Sequence, residues 1–226
     1  LEFRRVLFRS SNEASEWLKT FDIKAKGVLP NAVAVDEYFN QKIEKDEKKL
    51  TISYAGRLIP QMKGVEILLS TFSKLSKERK NLELIIAGDG PLLNEVKRKY
   101  SQKNIKFLGY VPYEKVLEID AKSDVFVLMS RSEGFATAML EAAMLENVII
   151  TTPTVGGARD IMPDETYGYI IENNETKLFE TLTKVLDNKE HMRLMQKKIS
   201  KNVLENFTWE QSAKQFIKVF NELDEK

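Results

Sequence analysis

The sequence predicts an α/β protein, a parallel sheet with helices packed on both of its faces. Three observations predict it. From residue 50 onward, apolar runs of strand length alternate with longer segments whose apolar residues recur at helical spacing. The runs are continuous rather than alternating, as in LTISYAG (50–56), LELIIAG (82–88), DVFVLMS (124–130) and NVIITT (147–152), and such strands need cover on both sides. The loops that follow them, AGRLIPQMKG, AGDGP, LGYVP and SRSEG, carry glycine, charge or both. Ligands in such sheets sit at the carboxyl ends of the strands.

Taken in order, SNEASEWLKT (11–20) reads as helix. VLPNAVAV (28–35) reads as a short strand-like run interrupted by Pro30-Asn31, and residues 36–49, ending in EKDEKK, as a charged linker or domain edge. The first strand, at 50–56, is followed by the helical VEILLSTFSKLSKER (65–79). Strand 82–88 leads through DGP into the helix LLNEVKRKYSQ. NIKFLG (104–109) is a strand and YEKVLEIDAKS a helix. DVFVLMS is followed by the helix FATAMLEAAML, and NVIITT by a glycine-containing loop. YGYII (167–171) and three polar-faced helical stretches close the chain.

Composition narrows the function. The 226 residues suffice for one large domain or two small ones with a real core. A net charge of +1 gives no general affinity for polyanions, so nucleic acid is not expected and any anion site must be local. With no cysteine there is no disulfide, thiolate metal site or cysteine nucleophile. The single histidine, His191, excludes a multi-histidine metal site and reads as a surface residue of a polar helix. No apolar run approaches the roughly 18 residues of a membrane span.

Two groups of residues point to chemistry. Arg57 and Lys63 lie in the loop after the first strand of the sheet, beside Gly56. Two cations there suit a diphosphate, provided they are more than solvated surface charges, and both are expected to face solvent. In SEGFATAMLEAAM (132–144), Glu133 precedes a helix expected to begin near Ala136, and Gly134 lets a ligand approach the backbone. The free N–H groups of the helix start suit phosphate. Glu141 sits on the same helix among apolar neighbours, where a carboxylate needs a partner; vicinal sugar or ribose hydroxyls would serve. GDGP (88–91) lacks the third glycine and the downstream acid of a nicotinamide fingerprint, and it lacks the GK[ST] of a P-loop. Gly156-Gly157 reads equally as an ordinary turn or a substrate contact.

The ordered set AGRLIPQMKG, IIAGDGP, FLGYVP, SDVFVLMSRSEGFATAMLEAAM, TPTVGG and FTWEQSA resembles the family 4 retaining glycosyltransferases of the GT-B fold, over roughly residues 28–220. The resemblance implies a Rossmann-like domain, the C-terminal half of the fold, that binds a nucleotide-sugar donor. Arg57 and Lys63 then correspond to the diphosphate-holding pair, Glu133 to the glutamate on donor sugar hydroxyls and Glu141 to the one on the ribose. Gly134, Phe135, Ala136 and Thr137 match the loop and helix start around sugar and phosphate, and Tyr110 and Val111 the main-chain contacts to the base. Ala136 replaces the usual glycine of E-G-F-G. Glu146-Asn147 replaces a small residue and glycine, with Asn147 able to adopt the left-handed turn. No metal or cofactor is implied. A non-catalytic nucleotide-sugar-binding module and a GT-B-like epimerase or phosphorylase are the other readings.

The resemblance also bears on the opening. Residues 1–10, LEFRRVLFRS, can be reverse-translated as CTG GAG TTC AGA CGT GTG CTC TTC CGA TCT, an adapter string of short-read sequencing, and so read as a cloning or assembly scar. Residues 11–49 are then expected to be the remnant of a preceding domain and the interdomain connection. Residues 50–206 would be the donor domain and 207–226 a C-terminal helix. The missing N-terminal domain would hold the acceptor, a glycan or lipid-linked glycan. The expected location is cytoplasmic, or peripheral at the inner face of a membrane through that domain.

Overall fold

The computed structural model describes residues 8–22, 27–34, 45–46, 48–60 and 62–224. The chain enters through β1 (Phe8–Arg9), α1 (Asn12–Lys19) and β2 (Gly27–Val28), with β1 and β2 paired in parallel. The strand-like run expected over 28–35 is therefore short. Among the described residues beyond Pro30-Asn31 it makes a single bridge, Val33 to Thr208. The linker expected over 36–49 lies largely outside the described residues. At its end, the Lys45 ammonium donates to the carbonyls of Ser123 and Glu146 (2.7 Å for the latter).

Then the regular alternation begins: β3 (Leu50–Ala55), α2 (Val65–Glu78), β4 (Leu82–Ala87), α3 (Leu93–Lys99), β5 (Ile105–Gly109), α4 (Tyr113–Lys122), β6 (Val125–Leu128), α5 (Thr137–Met144), β7 (Val148–Thr151), α6 (Ala158–Ile161) and β8 (Gly168–Ile170). Three helices follow, α7 (Glu175–Asp187), α8 (Lys189–Asn206) and α9 (Trp209–Asp224). The sheet order is β5-β4-β3-β6-β7-β8, and every neighbouring pair is parallel. All six residues of β3 and all four of β6 and of β7 are buried, which is why their runs do not alternate.

Helix α2 shows how the sequence makes these elements. Val65, Leu68, Leu69, Phe72 and Leu75 recur at helical spacing and are wholly buried against the sheet. Each contributes roughly 1.5–3 kcal/mol by leaving water. The capping asparagines Asn174 and Asn188 accept from the backbone of Lys177 (2.8 Å) and His191 (3.0 Å), so α7 and α8 start where local chemistry dictates.

The left-handed residue before β7 is Glu146 (φ 59°), not Asn147. Asn147 is buried instead, and its carboxamide donates to the carbonyls of Asp120 (2.7 Å) and Ala142 (3.0 Å). Those buried carbonyls need a donor, which outweighs the easier left-handed geometry of asparagine.

Chain order decides where the functional loops fall. The sheet grows outward from β3 to β5, then returns to the centre at β6. The loops after β3 and β6 therefore leave adjacent strands in opposite directions and open a crevice between them. Among the described residues, deleting residues 1–10 removes the two-residue ladder of β1 and the Arg9 carbonyl that accepts from Leu29. We expect the thermal midpoint to move by no more than about 2–4 °C, the equivalent of ~1 kcal/mol. Differential scanning calorimetry of the 11–226 chain checks this.

Candidate active site

The two loops at the crevice are joined directly. The Arg131 N–H donates to the Met62 carbonyl (2.7 Å), and the Lys63 ammonium pairs with the Glu133 carboxylate. Lys63 is thus not the solvent-facing cation the sequence led one to expect: its side chain is 17% exposed and that of Glu133 19%. Arg57 is exposed, as expected. Ser130, at the end of β6, donates to the same Glu133 oxygen at 3.1 Å.

A hydroxyl ladder supports that loop from beneath. Thr152 and Thr154 both donate to the Ser130 carbonyl, and the Glu133 N–H donates to the Thr154 carbonyl (3.2 Å). Gly156 then donates to the Glu133 carbonyl (3.1 Å). A Cβ at Gly156 would run into the Gly134 carbonyl, so only glycine lets the two loops touch. Gly156 is therefore a packing residue that seats Glu133. Gly134 itself is open, with nothing within 4 Å of where a Cβ would stand.

Beside the crevice lies a cleft of about 650 Å³ lined by Gly56, Arg57, Asp89, Gly90, Tyr110 and Val111 among others. Tyr110 is 82% exposed at its mouth. The structure thus gathers the predicted residues in three groups. Gly56, Arg57, Tyr110 and Val111 surround the cleft, Lys63 and Glu133 form a pair at the loop junction, and Gly134, Phe135, Ala136 and Thr137 lead into α5. Ala136 is buried at the N-cap, and α5 begins at Thr137. The Ala136 methyl, flagged as a departure, therefore points into protein rather than into the open part of the loop.

Glu141 is largely buried on α5. Burial pushes its carboxyl up, and a hydrogen bond from the Tyr113 hydroxyl pulls it back down. Beneath it, Asp120 is fully buried, with one oxygen accepting from Ser53 (2.8 Å) and the other without a hydrogen-bond partner. Burial carries Asp120 up to about 7, opposed by Ser53 and reinforced by the Glu141 charge. Ser130, Thr154, Tyr113 and Asp120 were not among the residues singled out from sequence. For Asp120 the signal existed: it falls three residues after Leu117, on the apolar face of α4.

A profile of the family described as "Glycosyl transferases group 1" matches residues 35–203, most of the chain. The chain belongs to the group 1 glycosyltransferases. It is 27% identical over 206 residues to the phosphatidylinositol N-acetylglucosaminyltransferase GPI3 subunit of Saccharomyces cerevisiae, covering 87% of this chain and 45% of that protein. The chain thus spans about half the length of that relative. A glycosyltransferase structure from Rickettsia africae superposes with a TM-score of 0.81 at 18% identity, over 96% of this chain and 63% of that one. The Anabaena protein HepE, in complex with UDP and glucose, gives 0.78 at 14% identity, over 96% and 62%. The fold this chain shares with these structures is the Rossmann-like, GT-B-type sheet expected from the sequence. Among the described residues, no helix of this family member is long and apolar enough to cross a membrane.

Proposed function

We propose that this group 1 glycosyltransferase chain binds a nucleotide-diphosphate sugar and supplies the donor side of a sugar transfer that retains anomeric configuration. The acceptor, a glycan or lipid-linked glycan, is held by a further domain of the protein, working in the cytoplasm or at the inner face of a membrane. The observation that carries the reading is the meeting of the loops after β3 and β6 at the switch point of the sheet, where Lys63 pairs with Glu133 and Arg57, from the same loop as Lys63, lines the neighbouring cleft. The HepE structure, which holds UDP and glucose, has the same fold.

In this reading the base enters the cleft against Tyr110 and Val111. The diphosphate lies across Arg57, Lys63 and the start of α5 at Gly134–Thr137, and the ribose hydroxyls reach Glu141. As the sugar–phosphate bond breaks, negative charge grows on the leaving diphosphate. Positive groups fixed in place stabilise that charge without reorganising. Lys63 exchanges Glu133 for phosphate when the donor binds, before the bond breaks, which frees the carboxylate for sugar hydroxyls. The two cations and the helix start supply the positive charge, so the reading calls for no metal or other cofactor.

Glu141→Gln provides the test. It removes the charged acceptor for two hydroxyls, roughly 1.5–3 kcal/mol, and leaves the phosphate groups untouched. Calorimetric titration should show UDP, GDP or ADP binding weakened about 10- to 100-fold and pyrophosphate binding unchanged. Equal losses for nucleotide and pyrophosphate would make Glu141 a structural residue and remove the ribose from this site.

A further inference from the structure

Glu133 has two donors on one oxygen. The Lys63 ammonium reaches Oε1 from the loop after β3, and the Ser130 hydroxyl donates to the same atom at 3.1 Å from the end of β6. Among the described residues no group donates to Oε2, which leaves that oxygen for a ligand. The two donors differ in freedom. Lys63 rides on a loop and can turn to another anion. Ser130 is wholly buried, and its carbonyl is held by the hydroxyls of Thr152 and Thr154.

The carboxylate lies at the edge of ligand-accessible space. Gly134, the next residue, has nothing within 4 Å of where a Cβ would stand. Across the loop junction, the Tyr54 hydroxyl donates to the Arg57 carbonyl (3.2 Å) and stands 3.2 Å from where a Gly56 Cβ would be, beneath two residues that line the cleft. Burial raises the pKa of that phenol and the Glu133 charge raises it further, so Glu133 is within electrostatic reach of the cleft floor.

We infer that Ser130 is a positioning residue for Glu133: its hydroxyl keeps the carboxylate in place once Lys63 has turned to a diphosphate, with Oε2 presented to the hydroxyls of the donor sugar. The inference rests on the donor-binding reading above. It adds a residue that does not touch the donor itself, because Ser130 is closed off from the surface.

The neighbouring hydroxyls do not replace it. Those of Thr152 and Thr154 are committed to the Ser130 carbonyl and to each other (3.0 Å), and that of Tyr54 to Arg57. A freed carboxylate that keeps one buried donor stays in one rotamer. Without that donor the ligand alone must order the side chain, and the cost falls on sugar binding. A bare diphosphate does not use the carboxylate and does not carry that cost. The Ser130 hydroxyl therefore distinguishes the two ligands, which a general loosening of the loop would not do.

The experiment titrates the 226-residue chain by calorimetry with UDP-glucose, UDP-N-acetylglucosamine, GDP-mannose and ADP-glucose, and with the parent nucleoside diphosphate of the tightest binder. Wild type, Ser130→Ala, Glu133→Gln and the double variant are compared, with thermal midpoints as a folding control. Ser130→Ala is expected to weaken the nucleotide sugar about 5- to 20-fold and to move the parent nucleotide by no more than about 2-fold. Ser130→Cys, with a weak donor of similar size, should fall between wild type and Ser130→Ala. In the Glu133→Gln background, Ser130→Ala should leave the ratio of the two affinities within about 2-fold, because the carboxylate it positions is gone. Equal weakening of both ligands, an unmoved nucleotide sugar, or a full second loss in the double variant overturns the role of Ser130, even where Glu133→Gln lowers the ratio. A ratio that Glu133→Gln leaves unaltered, or no binding of any nucleotide, overturns the donor-binding reading first and the role of Ser130 with it.

Discussion

Lys63→Ala is expected to weaken nucleoside-diphosphate binding by roughly 100-fold, while Glu133→Gln strengthens it several-fold. The two opposite signs come from one contact. Lys63 and Glu133 neutralise each other at the loop junction, both largely buried. A diphosphate must draw the ammonium away from that carboxylate. Charge-assisted hydrogen bonds of this kind contribute about 1.5–3 kcal/mol. Removing Lys63 loses that contribution and also leaves a bare carboxylate facing an incoming anion, so the loss sits at the upper end of the range. Replacing Glu133 by the neutral glutamine removes the competitor and the repulsion together. For the complete nucleotide sugar the sign reverses, because Glu133→Gln also loses the acceptor for sugar hydroxyls. Arg57→Ala should act in the direction of Lys63→Ala but less strongly, since Arg57 is exposed and screened by water. Calorimetric titration of the three variants with UDP, GDP and ADP decides. Equal and unaltered affinities in Lys63→Ala and Glu133→Gln would detach the pair from the donor altogether.

Gly64→Ala should be strongly destabilising for a change of one methyl group. Gly64 stands at φ 63°, a left-handed geometry that costs a residue with a Cβ about 1–2 kcal/mol. A Cβ there would collide with the Met129 carbonyl at the end of β6. That carbonyl cannot easily yield, because it accepts a hydrogen bond from Asn173 (3.1 Å). Gly64 also begins α2, its own carbonyl accepting from Ile67 (3.1 Å). The expected loss is on the order of 3–5 kcal/mol, seen as a fall of roughly 10 °C in thermal midpoint. Nucleotide affinity should fall as well, because the displaced loop carries Lys63. A stable variant with intact binding would show that the loops after β3 and β6 do not need this close approach.

Much of the molecule was legible before any coordinates. Strands β6 and β7 announce themselves as unbroken apolar runs because both of their faces are buried, whereas β4 and β5 keep Glu83 and Lys106 on a less buried face. The capped helices α7 and α8 and the apolar stripe of α2 follow from equally local rules. Arg57, Lys63, Glu133 and Glu141 stand out as candidates for the opposite reason: charge beside glycine at a strand's end suits an anion, and charge on an otherwise apolar helix is costly to bury without a partner. The turn before β7 was misread because two adjacent residues could each take the left-handed position, and only the carbonyls around Asn147 settle which one does.

What the sequence by itself determined is the list of elements and the chemical types in their loops, since both depend on neighbours within a few residues. Tertiary structure alone decided which groups meet. The sheet's return from β5 to the centre at β6 brings Lys63 against Glu133 across 70 residues of chain, and Thr154 and Gly156 beneath them. The packing of α4 on α5 places Tyr113 and Asp120 beside Glu141. No local pattern encodes these contacts, because they arise from the order in which strands add to the sheet, and that order is chosen by the burial of the whole core.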